Sequence, residues 1–449
     1  QSFNDSAALI QSLRSSLPPR LSAVDGSALP ENLVWRRSEL PDGGVLWFFC
    51  APWEAGVQAQ VKLPGSSLAE LDTAGGEVYE TDFTAQEGAL VVELNLPPRG
   101  HRFLIADAPA SQPEPRASEL PLVNAKALQF VSAERAEPNL MLLDYCRLAE
   151  KADSESYGEP LVTAKADAEN WCRHGFEGNP WPMGHQFKRN WQEYPFPEQP
   201  GCKVAYDFEV SLNGIDPASL EIVVERPWLY DISLNGKPIQ EAAFEEWFDV
   251  EFARALIGAL VQDGQNRLVM RARKMDALVE IMPVYLRGDF HMEPADAGFR
   301  AVATSSLGEG DLTEVGLPFY RGWLRYEYKF TLEQSTESGL RVALPPYTAA
   351  AARASLDGRP AAAPILHAPY EAHFAGRVEA GEHRLTLELA TSLRNMVGPQ
   401  HVRGLSGAWS WLFAPTPQPA GRDYDLDHFG IGAPANPIIS SPTRLSLKK

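Results

Sequence analysis

Cysteine is scarce: four among 449 residues, Cys50, Cys146, Cys172 and Cys202. None forms a Cys-x-x-Cys pair, and no Cys/His spacing matches a zinc site. Cys50 and Cys146 sit in apolar, strand-like runs and read as small buried hydrophobes. Cys172 and Cys202 lie in or beside one long segment, and a disulfide between them stays open. This usage suits a reducing compartment at least as well as an oxidising one. Positive charge is also short, with 40 Lys and Arg against 59 Asp and Glu, a net of −19. So acidic a chain is poorly suited to a phosphate backbone or an anionic membrane surface. No apolar run approaches the roughly 18 residues of a membrane span. Neither nucleic acid nor membrane is therefore expected as a partner. Two catalytic signatures are missing, a Gly-x-Ser-x-Gly elbow and a phosphate loop with its Lys. So is the alternation of strands and helices that builds a (β/α)8 barrel.

What remains is an ordinary globular composition, 44% hydrophobic and 22% charged, long enough for two to four domains. The first residues, Gln-Ser-Phe-Asn-Asp, show neither the basic nor the apolar part of a signal peptide, and no initiator Met. Asp5 to Leu17 reads as an amphipathic helix, with Leu9, Ile10 and Leu13 on one face and Pro18-Pro19 as its stop. A lone helix at the start looks like the end of something upstream. Residues 1–27 are expected to be the terminal helix of a missing domain, and the chain the carboxy-terminal part of a longer protein.

From Pro30 the pattern changes to short strands. Val45 to Cys50, Val57 to Leu63, Ala89 to Asn95 and Arg102 to Ile105 are separated by Pro- and Gly-rich turns. Short strands spaced by turns predict a small β-sandwich over 28–107. Pro109, Pro113, Pro115 and Pro121 mark a linker over 108–121. Strand-rich blocks follow at 122–292, with an insertion at 150–201, and at 297–436, before a polar tail at 437–449. Glu251 to Val261 reads as the only substantial helix inside these blocks.

The two blocks repeat each other. Tyr206-Asp-Phe-Glu-Val210 parallels Tyr326-Glu-Tyr-Lys-Phe330. Ser233-Leu-Asn-Gly-Lys-Pro238 parallels Ser355-Leu-Asp-Gly-Arg-Pro360, and Gly264-Gln-Asn-Arg-Leu268 parallels Gly381-Glu-His-Arg-Leu385. All three pairs stand about 120 residues apart. Asn235-Gly236 and Asp357-Gly358 are hairpin turns, because Asx-Gly supplies the positive φ angles of a type I′ turn. The fold class is therefore all-β, with tandem sandwich modules of which two are alike.

The Asn-Gly hairpin followed by a Gly-Glu-Asn-type turn resembles the galactose-binding-like jelly-roll domains of bacterial glycoside hydrolases, such as the family 2 sugar-binding domains. Four further segments resemble the carboxy-terminal half of family 106-like, α-L-rhamnosidase-like proteins. They are Pro138-Asn-Leu-Met-Leu-Leu-Asp-Tyr-Cys146, Val284-Tyr-Leu-Arg-Gly-Asp-Phe290, Gly316-Leu-Pro-Phe-Tyr-Arg-Gly322, and Leu393-Arg-Asn-Met-Val-Gly-Pro399 to His401. The likeness spans roughly residues 30 to 435. It implies two jelly rolls and catalytic carboxylates in an upstream barrel, so no catalytic residue is carried onto this chain. It also implies that a structural calcium can be present, with no other cofactor.

Within Glu150 to Gly201, Trp171, His174, Trp181, His185, Trp191 and Tyr194 are concentrated, with Phe176, Phe187 and Phe196. Aromatic planes beside polar groups suit sugars, which makes these the candidate carbohydrate-binding residues. Packing against a neighbouring domain is the weightier reading, since Trp and Tyr are enriched at interfaces too. Asp423-Tyr-Asp-Leu-Asp427 opens like a calcium loop but has His428 and Pro434 where that loop needs Gly and Glu. As a strand it would line one solvated face with acids and turn Tyr424 and Leu426 inward. His401 reads as a structural histidine. Glu245, Glu246 and Asp249 are acids that no spacing singles out as a pair.

Three functions fit. The first is a non-catalytic accessory region of a large glycoside hydrolase, supporting the barrel and contacting carbohydrate. The second is a stand-alone carbohydrate-binding protein, and the third a structural or assembly module.

Overall fold

In the computed structural model the described residues are 21–24, 29–41, 43–52, 55–73, 76, 78–86, 88–107, 120–179, 196, 201–366, 370–398, 400–401 and 423–434. The expected helix at Asp5 to Leu17, most of the linker and the tail lie outside them. Two compact units divide the chain: Gln1–Val131 with Glu327–Pro345 and Ala351–Glu388, and Ser132–Tyr326 with Pro346–Ala350 and Leu389–Lys449. Among the described residues the architecture is all-β, built of sandwiches and not of a helix-wrapped barrel.

In the N-terminal sandwich one sheet runs Ser22–Ala23, Val57–Pro64, Ala89–Leu96, Thr84–Gln86, and the other Val34–Glu39, Val45–Cys50, His101–Ala106, Leu68–Leu71, Val78–Glu80. Period-two alternation explains the packing. Val57, Val61 and Leu63 turn inward opposite Leu96, Val92 and Leu90, while Gln58 and Gln60 face out. Trp47, Phe49 and Leu104 of the other sheet close the core.

The second sandwich pairs a sheet ordered Leu161–Val162, Tyr145–Leu148, Lys203–Val210, Gly264–Ala272, Tyr230–Leu234, Lys237–Ile239 with one ordered Asn139–Leu143, Val284–Gly288, Glu221–Glu225, Asp249–Leu256, Glu245–Trp247. The third runs Gln129–Arg135, Trp323–Leu332, Gly381–Ala390, Ala351–Leu356, Arg359–Pro360, with a smaller sheet of Leu122–Val123, Gly339–Ala343, Glu371–Ala375. Five strands of the second sandwich, from Tyr145–Leu148 to Lys237–Ile239, thus match five of the third in the same spatial order. The repeat read from three short motifs is a repeat of topology. One difference lies in the facing sheets: Val284–Gly288, an inner strand, runs antiparallel to Glu221–Glu225, whereas Leu122–Val123, an edge strand, runs parallel to Gly339–Ala343.

Two expectations need correction, and one open question is answered. Glu251 to Val261 is not a helix: Asp249–Leu256 is a strand between Glu221–Glu225 and Glu245–Trp247. Its Phe-Ala-Arg-Ala-Leu composition suits a helix, but ladder pairing and the alternate burial of Ala253, Ala255 and Ile257 override that propensity. The longer helix lies instead inside the insertion, at Thr163–Arg173, where Thr163, Ala166, Asp167, Asn170 and Trp171 recur at helical spacing on the buried face. Asp423 to Asp427 forms no strand. Tyr424 is buried and Leu426 half-buried against the core, as the alternation implied, but Asp425 pairs with Arg394 at 3.5 Å and the Asp427 N–H donates to the Asn395 side chain at 2.8 Å. These local partners replace ladder bonds. All four cysteines are free, so Cys172 and Cys202 are not bridged.

Candidate functional site

Of the six candidate carbohydrate-binding residues, Trp171 and His174 are described; Trp181, His185, Trp191 and Tyr194 lie outside the described residues. Trp171 has no solvent exposure, and Phe176 and Phe196 meet its ring nearly edge-on at 5.1 and 5.9 Å. An indole so enclosed is a core residue and offers no face to a sugar. His174 closes the same helix, with Nδ1 2.8 Å from the Asn170 carbonyl oxygen. Below them Asp167 accepts from the Ile281 N–H at 3.0 Å and the Asn179 amide at 2.9 Å. Burial pushes the Asp167 carboxyl up to about 7 against those two bonds. It lies in the packed interior and lines neither of the two described clefts.

The second sandwich instead presents a polar cleft of about 480 Å³ on its Glu221–Glu225 sheet, lined by Arg135, Glu137, Ser219, Glu221, Arg287 and Asp289. The register explains the cluster: Arg287 and Leu256 stand opposite Glu221 on its two neighbouring strands, so all three share a face. Glu221 accepts from Arg254 at 2.8 Å and from Arg287. Arg135 pairs with Asp289 at 2.8 Å and Arg321 with Glu137 at 3.2 Å. Each of these carboxylates is therefore held by a guanidinium, in charge-assisted bonds that fix its direction. Leu256 is 67% exposed and adds an apolar wall.

Beside the cleft the edge strand turns sharply. Trp247 pairs with Asp249 directly across the turn, with a register shift between Glu246 and Trp247. Phe248 at the tip is forced to φ +67° and is 50% exposed. A bulky residue at positive φ costs about 1–3 kcal/mol, strain that structures keep mainly where a side chain must be aimed. The Arg321 guanidinium lies 4.4 Å from the Phe248 ring centre and 5.3 Å from that of Trp247. Arg287 lies 5.8 Å from the Trp247 ring on its own account. Arg321 so ties the exposed ring to Glu137 in the cleft wall. The signal in the sequence was the Trp247-Phe248 doublet bracketed by acids, at a turn with no Gly. The helical reading of the following residues concealed it.

A second polar cluster is fully enclosed. Asp144 follows the Asn139–Leu143 strand, accepts from the Tyr424 hydroxyl at 3.0 Å and contacts His401 Nε2. Tyr145 meets the His401 ring edge-on at 5.4 Å. With the His401 side chain 1% and the Asp144 side chain 4% exposed, this is a tie within the second unit and not an open site. Among the described residues, no group of three or more His, Cys, Asp or Glu side chains is placed to hold a metal ion. No described helix is long and apolar enough to cross a membrane.

No protein-family profile matches the chain. No curated protein matches it at a significant level. Among solved structures, a rhamnosidase from Novosphingobium sp. PP1Y is similar at 12% identity and a TM-score of 0.20, over 63% of this chain and 26% of that one. A β-D-mannosidase from Dictyoglomus thermophilum is 13% identical with a TM-score of 0.23, over 56% of this chain and 31% of that one. A β-glucuronidase from an uncultured Clostridium sp. is 10% identical with a TM-score of 0.23, over 62% of this chain and 47% of that one. The chain thus spans less than half of each of these enzymes. The sandwich fold rests on the sheets described above, and neither substrate nor reaction follows from matches at this level.

Proposed function

We propose that this chain is a non-catalytic accessory region of a large glycoside hydrolase, supporting a catalytic domain outside it. The observation that carries the reading is the state of the cleft carboxylates. Glycoside hydrolysis needs two carboxyl groups facing a substrate about 5–9 Å apart, one free to give a proton and one free to take it or attack. Glu221 is instead held between Arg254 and Arg287, and Glu137 and the largely exposed Asp289 each pair with one arginine. Their geometry suits fixed hydrogen bonding, not proton transfer. The repeated sandwich, and the segments that resemble the carboxy-terminal half of family 106-like proteins, support the placement beside a barrel.

The test is direct. The purified 449-residue chain, incubated with a panel of aryl glycosides, is expected to release no more phenolate than buffer. Turnover that follows protein concentration and survives repurification would overturn the reading.

A further inference from the structure

We infer that Phe248 and the adjoining cleft form a binding subsite for a neutral saccharide. This rests on the accessory reading above and adds a ligand class and a place. Three observations meet here. Phe248 is half-exposed at a strained positive φ, on the tip of an irregular edge hairpin. Strain and a bulge are among the ways a chain aims a side chain out of an edge. The Arg321 guanidinium sits 4.4 Å from the ring centre, which fixes the ring and leaves its exposed surface for a flat apolar face, as a pyranose CH surface supplies. The same Arg321 pairs with Glu137, which lines a cavity of about 480 Å³, a volume that suits one or two sugar rings.

The charges choose the class of sugar. Of the charged groups lining the cavity, Arg135 pairs with Asp289 and Arg287 with Glu221, while Glu137 is met by Arg321 from beside it. A cleft with its cations already answered has little to offer a uronate carboxylate or a sulfate, and its carboxylates repel one. Fixed donors alternating with fixed acceptors instead match vicinal hydroxyls, each of which both gives and takes a hydrogen bond.

The test is affinity electrophoresis of the full chain in gels containing galactomannan, arabinogalactan or xyloglucan, with polygalacturonate as the charged counterpart. Retardation is expected in at least one neutral gel and not in polygalacturonate. Phe248→Gly relieves the backbone strain while deleting the ring, so it should weaken retardation at least tenfold while its melting temperature holds or rises. Phe248→Trp should keep retardation. Trp35→Ala, which removes an exposed ring of the N-terminal sandwich, should change nothing. No retardation in any neutral gel, undiminished retardation with Phe248→Gly, or a preference for polygalacturonate would each overturn the inference. The aryl-glycoside result is independent of all three, so loss of this site and loss of the accessory reading are told apart.

Discussion

The second and third sandwiches solve one problem with different chemistry. Each carries an Asx-Gly hairpin: Asn235 and Asp357 both sit at φ 51°, and Gly236 and Gly358 at φ 77° and 80°. Each Asx side chain reaches the neighbouring long strand, where Asn235 accepts from the Arg267 N–H at 3.0 Å and Asp357 from the Arg384 N–H at 2.8 Å. Beneath the turn the lobes part. In the second, Asn266 is buried, with its amide oxygen taking the Asn235 amide and the Gln262 N–H and its nitrogen giving to the Gln262 and Gly264 carbonyls. That satisfies a neutral amide completely. In the third, the equivalent residue is His383, with Nδ1 2.7 Å from the Asp357 carboxylate and Nε2 2.7 Å from the Glu379 carbonyl oxygen. Two acceptors on one imidazole call for the protonated ring. Backbone geometry is thus kept by the repeat, while the key under it is neutral in one lobe and charged in the other.

The strongest way to break this comparison is to remove the keys. Asn266→Ala removes four hydrogen bonds to half-buried or exposed partners and should cost about 2 kcal/mol, whereas His383→Ala removes two and should cost about 1 kcal/mol. A chain of several sandwiches need not unfold in one step, so the readout is local hydrogen exchange at the Asn235 and Asp357 amides. Equal acceleration in the two hairpins would show that the four bonds of Asn266 and the two of His383 do not separate them.

Next in size, Gly236→Val and Gly358→Val should each cost about 1–2 kcal/mol through backbone strain. Nothing lies within 4 Å of a Cβ added at either glycine, so crowding is not the cause. A hairpin that accepted Val without loss would not have the shared turn geometry.

The smallest effect is the most specific. Burial pulls the His383 pKa down, but the Asp357 hydrogen bond, the Glu379 carbonyl and the Asp357 charge outweigh it, and the net shift is upward. Burial pushes Asp357 up, but the Arg384 N–H and His383 hold it below its ordinary value. Stability from the raised His is full below its ordinary value of about 6.5 and is lost as pH rises through the folded value; stability from the lowered Asp is present above about 4 and is lost on acidification. The third-lobe hairpin should therefore be tightest between about pH 4 and 6.5 and loosen by under about 1 kcal/mol as pH rises through the raised folded value of His383, while the second stays flat. The double variant D357N/H383N should remove that pH dependence of the Asp357-site amide. A slope that persisted would locate the titrating group elsewhere.

Much of this was legible in the residues themselves. Alternation placed four N-terminal strands to within a residue or so, since a half-buried strand must repeat with period two, and missed the shorter or more exposed ones such as Val34–Glu39 and Leu68–Leu71. The Asx-Gly turns and their spacing announced the doubled lobe, because positive φ at two successive positions leaves few other residues to use. Chemistry that depends on neighbours distant in sequence stayed hidden. Whether the residues after Asp249 became helix or strand was decided by the ladders on both sides. Trp171 read as an interface ring or a sugar platform, and the fold encloses it in the core. Glu221 met Arg254 and Arg287 only through cross-strand register, and Phe248 faced solvent only because its hairpin turned too tightly for an ordinary backbone. Local sterics write turns and periodicity into the chain one residue at a time; which charges meet, and which rings stay wet, depends on elements that only folding brings together.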